Sequence, residues 1–469
     1  MPGNTGSLRA AAKKCWRSSV LATSLGAALL FPGSAAWAQG QAAADPNAPA
    51  LRLIKIIPIK GTAANPTNKL FSFDISWVDP TPLAGHPSGL YYLADRSNAA
   101  LDVIDIATET LFGQIGGAGM GQANFQGDTG NTATSGPDGV TAAFPCIFAG
   151  DGNSRLLSFN GAVSFTTVVT AFNTGGKFRV DEMAVDPADG LVIAANNADT
   201  PAFSTILTYN KTTCALSNAI KTTFDVLPGP HKNTNGAEQP VWEPMTQRFY
   251  ISLPEIDGPG DGTGITGAVA RITTGGVIET IYPINYMQPA GLTVGPNGDL
   301  LVGANSVFDT SGKKCTAVVP APGTGAAPAT CTGIAFPQEA ICNPGKGCTG
   351  NSLVSVRGVG GGDEVWFNSG DGNYYVTAGN LPAAPALGVV ASGANTPPNT
   401  LTQLVPTLYA QPPVGTAGTS SFVHSQGTVH SVAASAANNH VYVPLPANTA
   451  YNINGVGCPQ GCIGVFSAQ

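Results

Sequence analysis

The feature that most constrains the fold is a unit that recurs seven times: an extended apolar run, a turn rich in Gly or Asn, and a second extended run. The first runs are DISWVDP (74–80), DGVTAAF (138–144), DEMAVDP (181–187), EQPVWEP (238–244), AGLTVGP (290–296), DEVWFNS (363–369) and HSVAASA (430–436). Each is followed by a partner: GLYYLAD, CIFAGDG, LVIAANN, RFYISLP, DLLVGAN, NYYVTAG or HVYVPLP. β-Branched and aromatic residues at near-alternate positions, bounded by Gly, Pro, Asn and Asp, read as strands joined by tight turns. The units begin 43 to 73 residues apart, and strand-only repeats of roughly 40 to 50 residues are the mark of propeller blades, with longer spacings marking loop insertions.

Most units continue into third and fourth strands, as in ALDVIDI and TLFGQI, or GAVARIT and VIETIYPI. The seventh runs out after HSVAAS, HVYVPLP and CIGVF, while residues 51–59 (LRLIKIIPI) have no blade of their own. The expectation is therefore an all-β propeller, seven-bladed with six as the alternative. Its N-terminal strand completes the last blade and removes two open sheet edges. Gly at 59, Pro at 37 and 10% charged residues among 469 suit a turn-rich sheet protein held as one domain over residues 51–469.

Residues 1–38 read as a secretory signal peptide, with Arg9, Lys13, Lys14 and Arg17 ahead of an apolar stretch and Ala36-Trp37-Ala38 as the cleavage site. Residues 39–50 form a linker, and the mature chain is expected in the periplasm or secreted, with no membrane span. Cleavage removes four basic and no acidic side chains, leaving 17 Lys and Arg against 28 Asp and Glu, a formal charge of −11. That charge argues against nucleic acid as a partner and makes a bound cation more plausible. Partners left open are a small-molecule substrate or a periplasmic protein; a closed ring needs no second copy, so a monomer is expected.

Eight cysteines remain, an even number in an oxidising compartment, which favours disulfides. Eight allow 105 connectivities. Nearest-neighbour pairing gives Cys342 with Cys348, Cys458 with Cys462 and Cys315 with Cys331, leaving Cys146 with Cys214. Cys315, Cys331, Cys342 and Cys348 lie in a low-complexity insertion at about residues 306–350 that cannot build a core of its own.

Aligned on their first runs, six of seven units carry a titratable side chain at one position: Asp74, Asp138, Asp181, Glu238, Asp363 and His430, with Ala290 the exception. In a propeller the first strand of every blade is innermost and all run the same way, so these groups converge on one mouth of the channel. Like charges gathered there raise one another's pKa unless a cation, a proton or hydrogen-bond donors compensate. A divalent metal held by Glu238, Asp138, Asp181 and Asp363 is one solution, calcium first, zinc or manganese next. Arg96, Asn196, His231 and His424, on loops of the same face, are the candidate substrate-binding groups. The bland reading is that each ring residue latches onto the backbone of the next blade and recurs because blades are duplicated.

GPDGV, YYLADRSNAALDVIDIAT and HSVAASAANNHVYVPLP resemble blades of the YVTN and NHL classes of bacterial β-propeller, across nearly all of the mature chain. Separately, EQPVW (238–242) is similar to the Glu-Gly-Pro-x-Trp start of gluconolactonase and regucalcin-type propellers. That resemblance implies Glu238 as a metal ligand and Asp181 or Asp363 as the metal-binding, base-like Asp. Those lactonases have six blades and an Asn where this chain has Ala290.

Two functional expectations follow. In one, a ring-bound metal polarises a lactone or ester carbonyl and activates water, with His430, Asp181 or Asp363 as the base; a lyase or isomerase would use the same groups. In the other, the propeller is a non-catalytic scaffold or binding module and its ring is structural.

Overall fold

Every run of the sequence repeat becomes one strand of an antiparallel blade in the computed structural model, which describes residues 50–117, 123–309, 311–315, 338–341, 352–356, 359, 362–377, 386–395, 400–407 and 429–468. The signal peptide, almost all of the linker and His424 lie outside the described residues. The innermost strands are Ser76–Asp79, Val140–Ala143, Met183–Asp186, Pro240–Glu243, Met287–Val294, Val365–Asn368 and Ala433–Ser435. Each lies beside the next in sequence order, and the seventh returns to the first.

Six hydrogen-bonded sheets carry this ring. Five have four strands; the sixth has eight because one parallel pairing, Thr266 with Met287, joins two neighbouring four-stranded units. Among the described residues the ring therefore has six sheets and seven inner strands, and the four-stranded units are numbered below by inner strand. In the fifth, the outer strands are Gln338–Ile341 and Ser352–Val356, so the first of them comes from inside the stretch expected to be an insertion. The repeat signal missed it because its flanks are low-complexity.

Arg52–Pro58 pairs antiparallel with Cys462–Ser467, which pairs with His440–Leu445, so the N-terminal strand is the fourth strand of the last blade. The seam is locked outside the sheet as well. Glu109 of the first blade pairs with His440 of the seventh, and Lys55 of the N-terminal strand reaches Glu109 at 3.5 Å and the Thr108 carbonyl at 2.8 Å.

The core is distributed between blades. Phe148 and Leu156 of the second blade pack with Val192, Ala194 and Leu207 of the third; Tyr91 of the first stacks 5.4 Å from Tyr442 of the seventh. Full burial of a Val, Leu or Phe side chain among these contributes about 1.5–3 kcal/mol of transfer free energy. Trp77 and Trp366 meet edge to face at 5.1 Å, and Trp242 lies 4.8 Å from Phe249, so all three are blade-packing residues. Two disulfides, Cys146–Cys214 and Cys458–Cys462, match the expected pairs. The first ties the second blade to the third. No helix among the described residues is long and apolar enough to cross a membrane.

Candidate functional site

The ring residues sit just ahead of the inner strands, two residues before Ser76, Val140, Met183, Pro240 and Val365. A repeated backbone device puts them there. The Asp74 N–H donates to the Ala94 carbonyl, while the Ala94 N–H donates to the carbonyl of Ile75, so two residues face one. The same pattern recurs with Asp138 and Gly139 against Gly150, Asp181 and Glu182 against Ala195, and Glu238 and Gln239 against Ser252. Such an extra residue at the end of a ladder re-aims side chains, which is how one turn delivers two groups to the channel wall. Gly139 stands at the second of these positions because a Cβ there would lie 1.8 Å from the Asp181 carbonyl oxygen of the next blade.

The ring groups join into a chain that runs around six blades. The Asp363 Oδ2 atom lies 3.0 Å from His430 Nε2, which lies 2.7 Å from Asp74 Oδ1. Asp74 Oδ2 pairs with the Arg96 guanidinium, whose Nε donates to Asp138 Oδ1. Arg179 then donates through Nη2 to Asp181 Oδ2 at 2.6 Å, with Nη1 at 3.6 Å from Asp138 and 3.8 Å from Asp74. Its Nε donates to Asn197 Oδ1, and Asn197 Nδ2 donates to Glu238 Oε2 at 3.4 Å. Asp74, Asp138 and Asp181 bring oxygens within 4.8 Å of one another, and so do the donor atoms of Asp74, Asp363 and His430.

These contacts separate two roles that the sequence left merged. Asp74, Asp138, Asp181 and Glu238 engage side chains. Latching onto neighbouring backbone is done one residue later: Gln239 Oε1 accepts from the Leu292 N–H at 2.6 Å, and Glu364 Oε2 from the Val432 N–H at 2.9 Å. Glu364 also takes the hydroxyl of Ser431 and lies 3.4 Å from the Ser76 N–H, spanning the sixth, seventh and first blades.

Burial dominates the electrostatics. It pushes Asp138 up to about 7 against the lowering effect of Arg96 and Arg179. Burial, then the charges of Asp181 and Asp363, pushes Glu238 up to about 8, and burial pushes Glu364 to about 8. Glu182 is raised well above the usual carboxyl range by burial and then by Glu238, Asp181, Asp363 and Glu364. Protons are thus a second means of charge compensation beside the two guanidiniums.

The candidate substrate groups fare differently. Arg96 is buried between Asp74 and Asp138. Asn196 is fully buried, accepting from Thr174 and donating to Ser154 Oγ and the Arg179 carbonyl. His231 stands off the ring, 2.5 Å from Asp257, beside the two-stranded flap of Asn233–Asn235 and Glu255–Ile256. Three further residues join the site without having been singled out: Arg179, Glu182 and Glu364. A signal for the two glutamates was present, because DEMAV and DEVWF repeat an Asp-Glu doublet at equivalent positions.

No family model matches the chain, and no curated protein does. Among solved structures, hydrazine synthase from Kuenenia stuttgartiensis is similar with a TM-score of 0.52 at 10% identity, over 83% of this chain and 96% of that one. The RRP9 WD40 repeats give 0.49 at 10% identity over 89% and 98%, and the WD40 propeller domain of Doa1 gives 0.48 at 10% over 90% and 98%. At such identity the likeness to hydrazine synthase speaks to architecture alone, and with the closed ring of blades it makes this chain a β-propeller.

Proposed function

We propose that the protein is a non-catalytic binding or scaffold propeller of the periplasm or extracellular space, whose acidic ring is chiefly structural. The observation that carries this reading is the placement of Arg96 and Arg179 among Asp74, Asp138 and Asp181. Protein-borne cations there fill the electrostatic role that an activating metal would otherwise play, and they bridge the first three blades. The disulfides support the oxidising location.

The second reading, a metal-dependent lactonase-like hydrolase on a small-molecule substrate, is favoured by one observation: ligand atoms of the ring lie within 4.8 Å of one another in two groups of three. In that reading Glu238, Asp138, Asp181 and Asp363 share ligand and base duties with His430. The resemblance to YVTN, NHL and lactonase propellers belongs to these proposals too.

Screening the mature protein on lactones and esters, with calcium, zinc or manganese added, separates the two. The scaffold reading expects no turnover above that of Asp363→Asn with His430→Gln. Turnover abolished by those substitutions overturns it in favour of the hydrolase.

A further inference from the structure

We infer that His430, Asp74 and Asp363 form a binding centre for a divalent transition-metal ion, manganese or zinc rather than calcium. The trio joins the seventh, first and sixth blades across the point where the ring closes. Its donor atoms already stand close together: His430 Nε2 is 2.7 Å from Asp74 Oδ1 and 3.0 Å from Asp363 Oδ2, with all three within 4.8 Å. Adjacent ligand atoms on a coordination sphere with bonds of about 2.0–2.2 Å are separated by about 3 Å, so an ion replacing the Nε2 proton requires little rearrangement.

A second observation points the same way. Beside the trio, Glu182 Oε2 and Glu364 Oε1 are buried carboxylate oxygens with no hydrogen-bond partner, on residues 4% and 0% exposed. Arg96 takes the other oxygen of Asp74 and pairs with Asp138, and Arg179 pairs with Asp181, which leaves Asp74 Oδ1 facing His430. A buried, unpartnered carboxylate oxygen costs free energy that a nearby cation offsets. The donor set decides the metal. One imidazole with carboxylates suits zinc or manganese, whereas calcium takes oxygen ligands alone. Asp363 and His430 are partly exposed, with side chains 19% and 15% accessible, so the ion has a route in from the mouth.

The centre is independent of whether the protein catalyses anything, and its test uses no substrate. The mature protein, stripped with chelator, is titrated with manganese chloride while the free-ion electron paramagnetic resonance signal is followed. One manganese per chain is expected to leave the free pool, with a single imidazole nitrogen coupling in the pulsed spectrum of the bound ion. Zinc chloride should displace it. Asp363→Asn should weaken binding at least tenfold, and His430→Gln should weaken it and remove the nitrogen coupling. Wild-type protein that takes up no manganese and no zinc overturns the proposal even if a variant fails to fold. So does binding that both variants retain unchanged, which would place the ion elsewhere.

Discussion

Glu364 is the residue on which the closure of the ring turns. One carboxyl oxygen serves Ser431, Val432 and Ser76 on two other blades, while the other is buried without a partner. Its pKa of about 8, with Asp138 at about 7 and Glu238 at about 8, lies far above the value of roughly 4 for an unfolded carboxyl. Between those limits the folded chain holds protons that the unfolded chain has lost, so stability falls as pH rises through that window. In chelator, the melting temperature should decline from pH 5.5 to pH 8.5, as the unfolding free energy falls by on the order of 1 kcal/mol per pH unit for each such group until its folded pKa is passed. Glu364→Gln should flatten the decline; a melting temperature that rises with pH would refute the assignment. The guanidiniums act oppositely: Arg96→Met strands Asp74 and Asp138, and a loss of about 3–5 kcal/mol is expected in urea unfolding.

Among the elements, the inner strands show how tightly position is specified. Gly139→Ala would drive a methyl group into the Asp181 carbonyl, a backbone atom that cannot swing away, so a loss of at least about 2 kcal/mol is expected. Gly275→Ala, whose nearest neighbour would be the Thr273 hydroxyl at 3.7 Å, is the control and should stay within about 0.5 kcal/mol. The N-terminal strand carries a different load. Without Arg52–Pro58 the edge of Cys462–Ser467 is open to pairing with another chain. A chain beginning at residue 61 should therefore elute as aggregate in size-exclusion chromatography, and a peptide of residues 50–60 should restore the monomer.

For the molecule as a whole, closure joins ends that are distant in sequence, and covalent links reinforce it. Cys146–Cys214 closes a separation of 68 residues between adjacent blades. Chain entropy values such a loop at about 4 kcal/mol, so replacing both cysteines by Ala should lower the melting temperature clearly in calorimetry. An unchanged melting temperature would mean that the blade interface alone holds those blades together.

Much of the architecture was legible because blade strands repeat a local pattern: period-two apolar runs and turn residues need no knowledge of distant contacts. The same repetition marked Asp74, Asp138, Asp181, Glu238, Asp363 and His430 as equivalent, and they do gather at one mouth. What the chain alone left undecided was which charges meet. Arg96 lies in a loop and Arg179 two residues ahead of a ring position, and nothing local says that both turn inward to neutralise three aspartates. Nor does local pattern say that the backbone turn brings Glu182 and Glu364 in behind their neighbours. Strand and blade follow from short-range periodicity, whereas charge compensation in a buried channel is a sum over groups from six blades, and only the closed ring sets the distances in that sum.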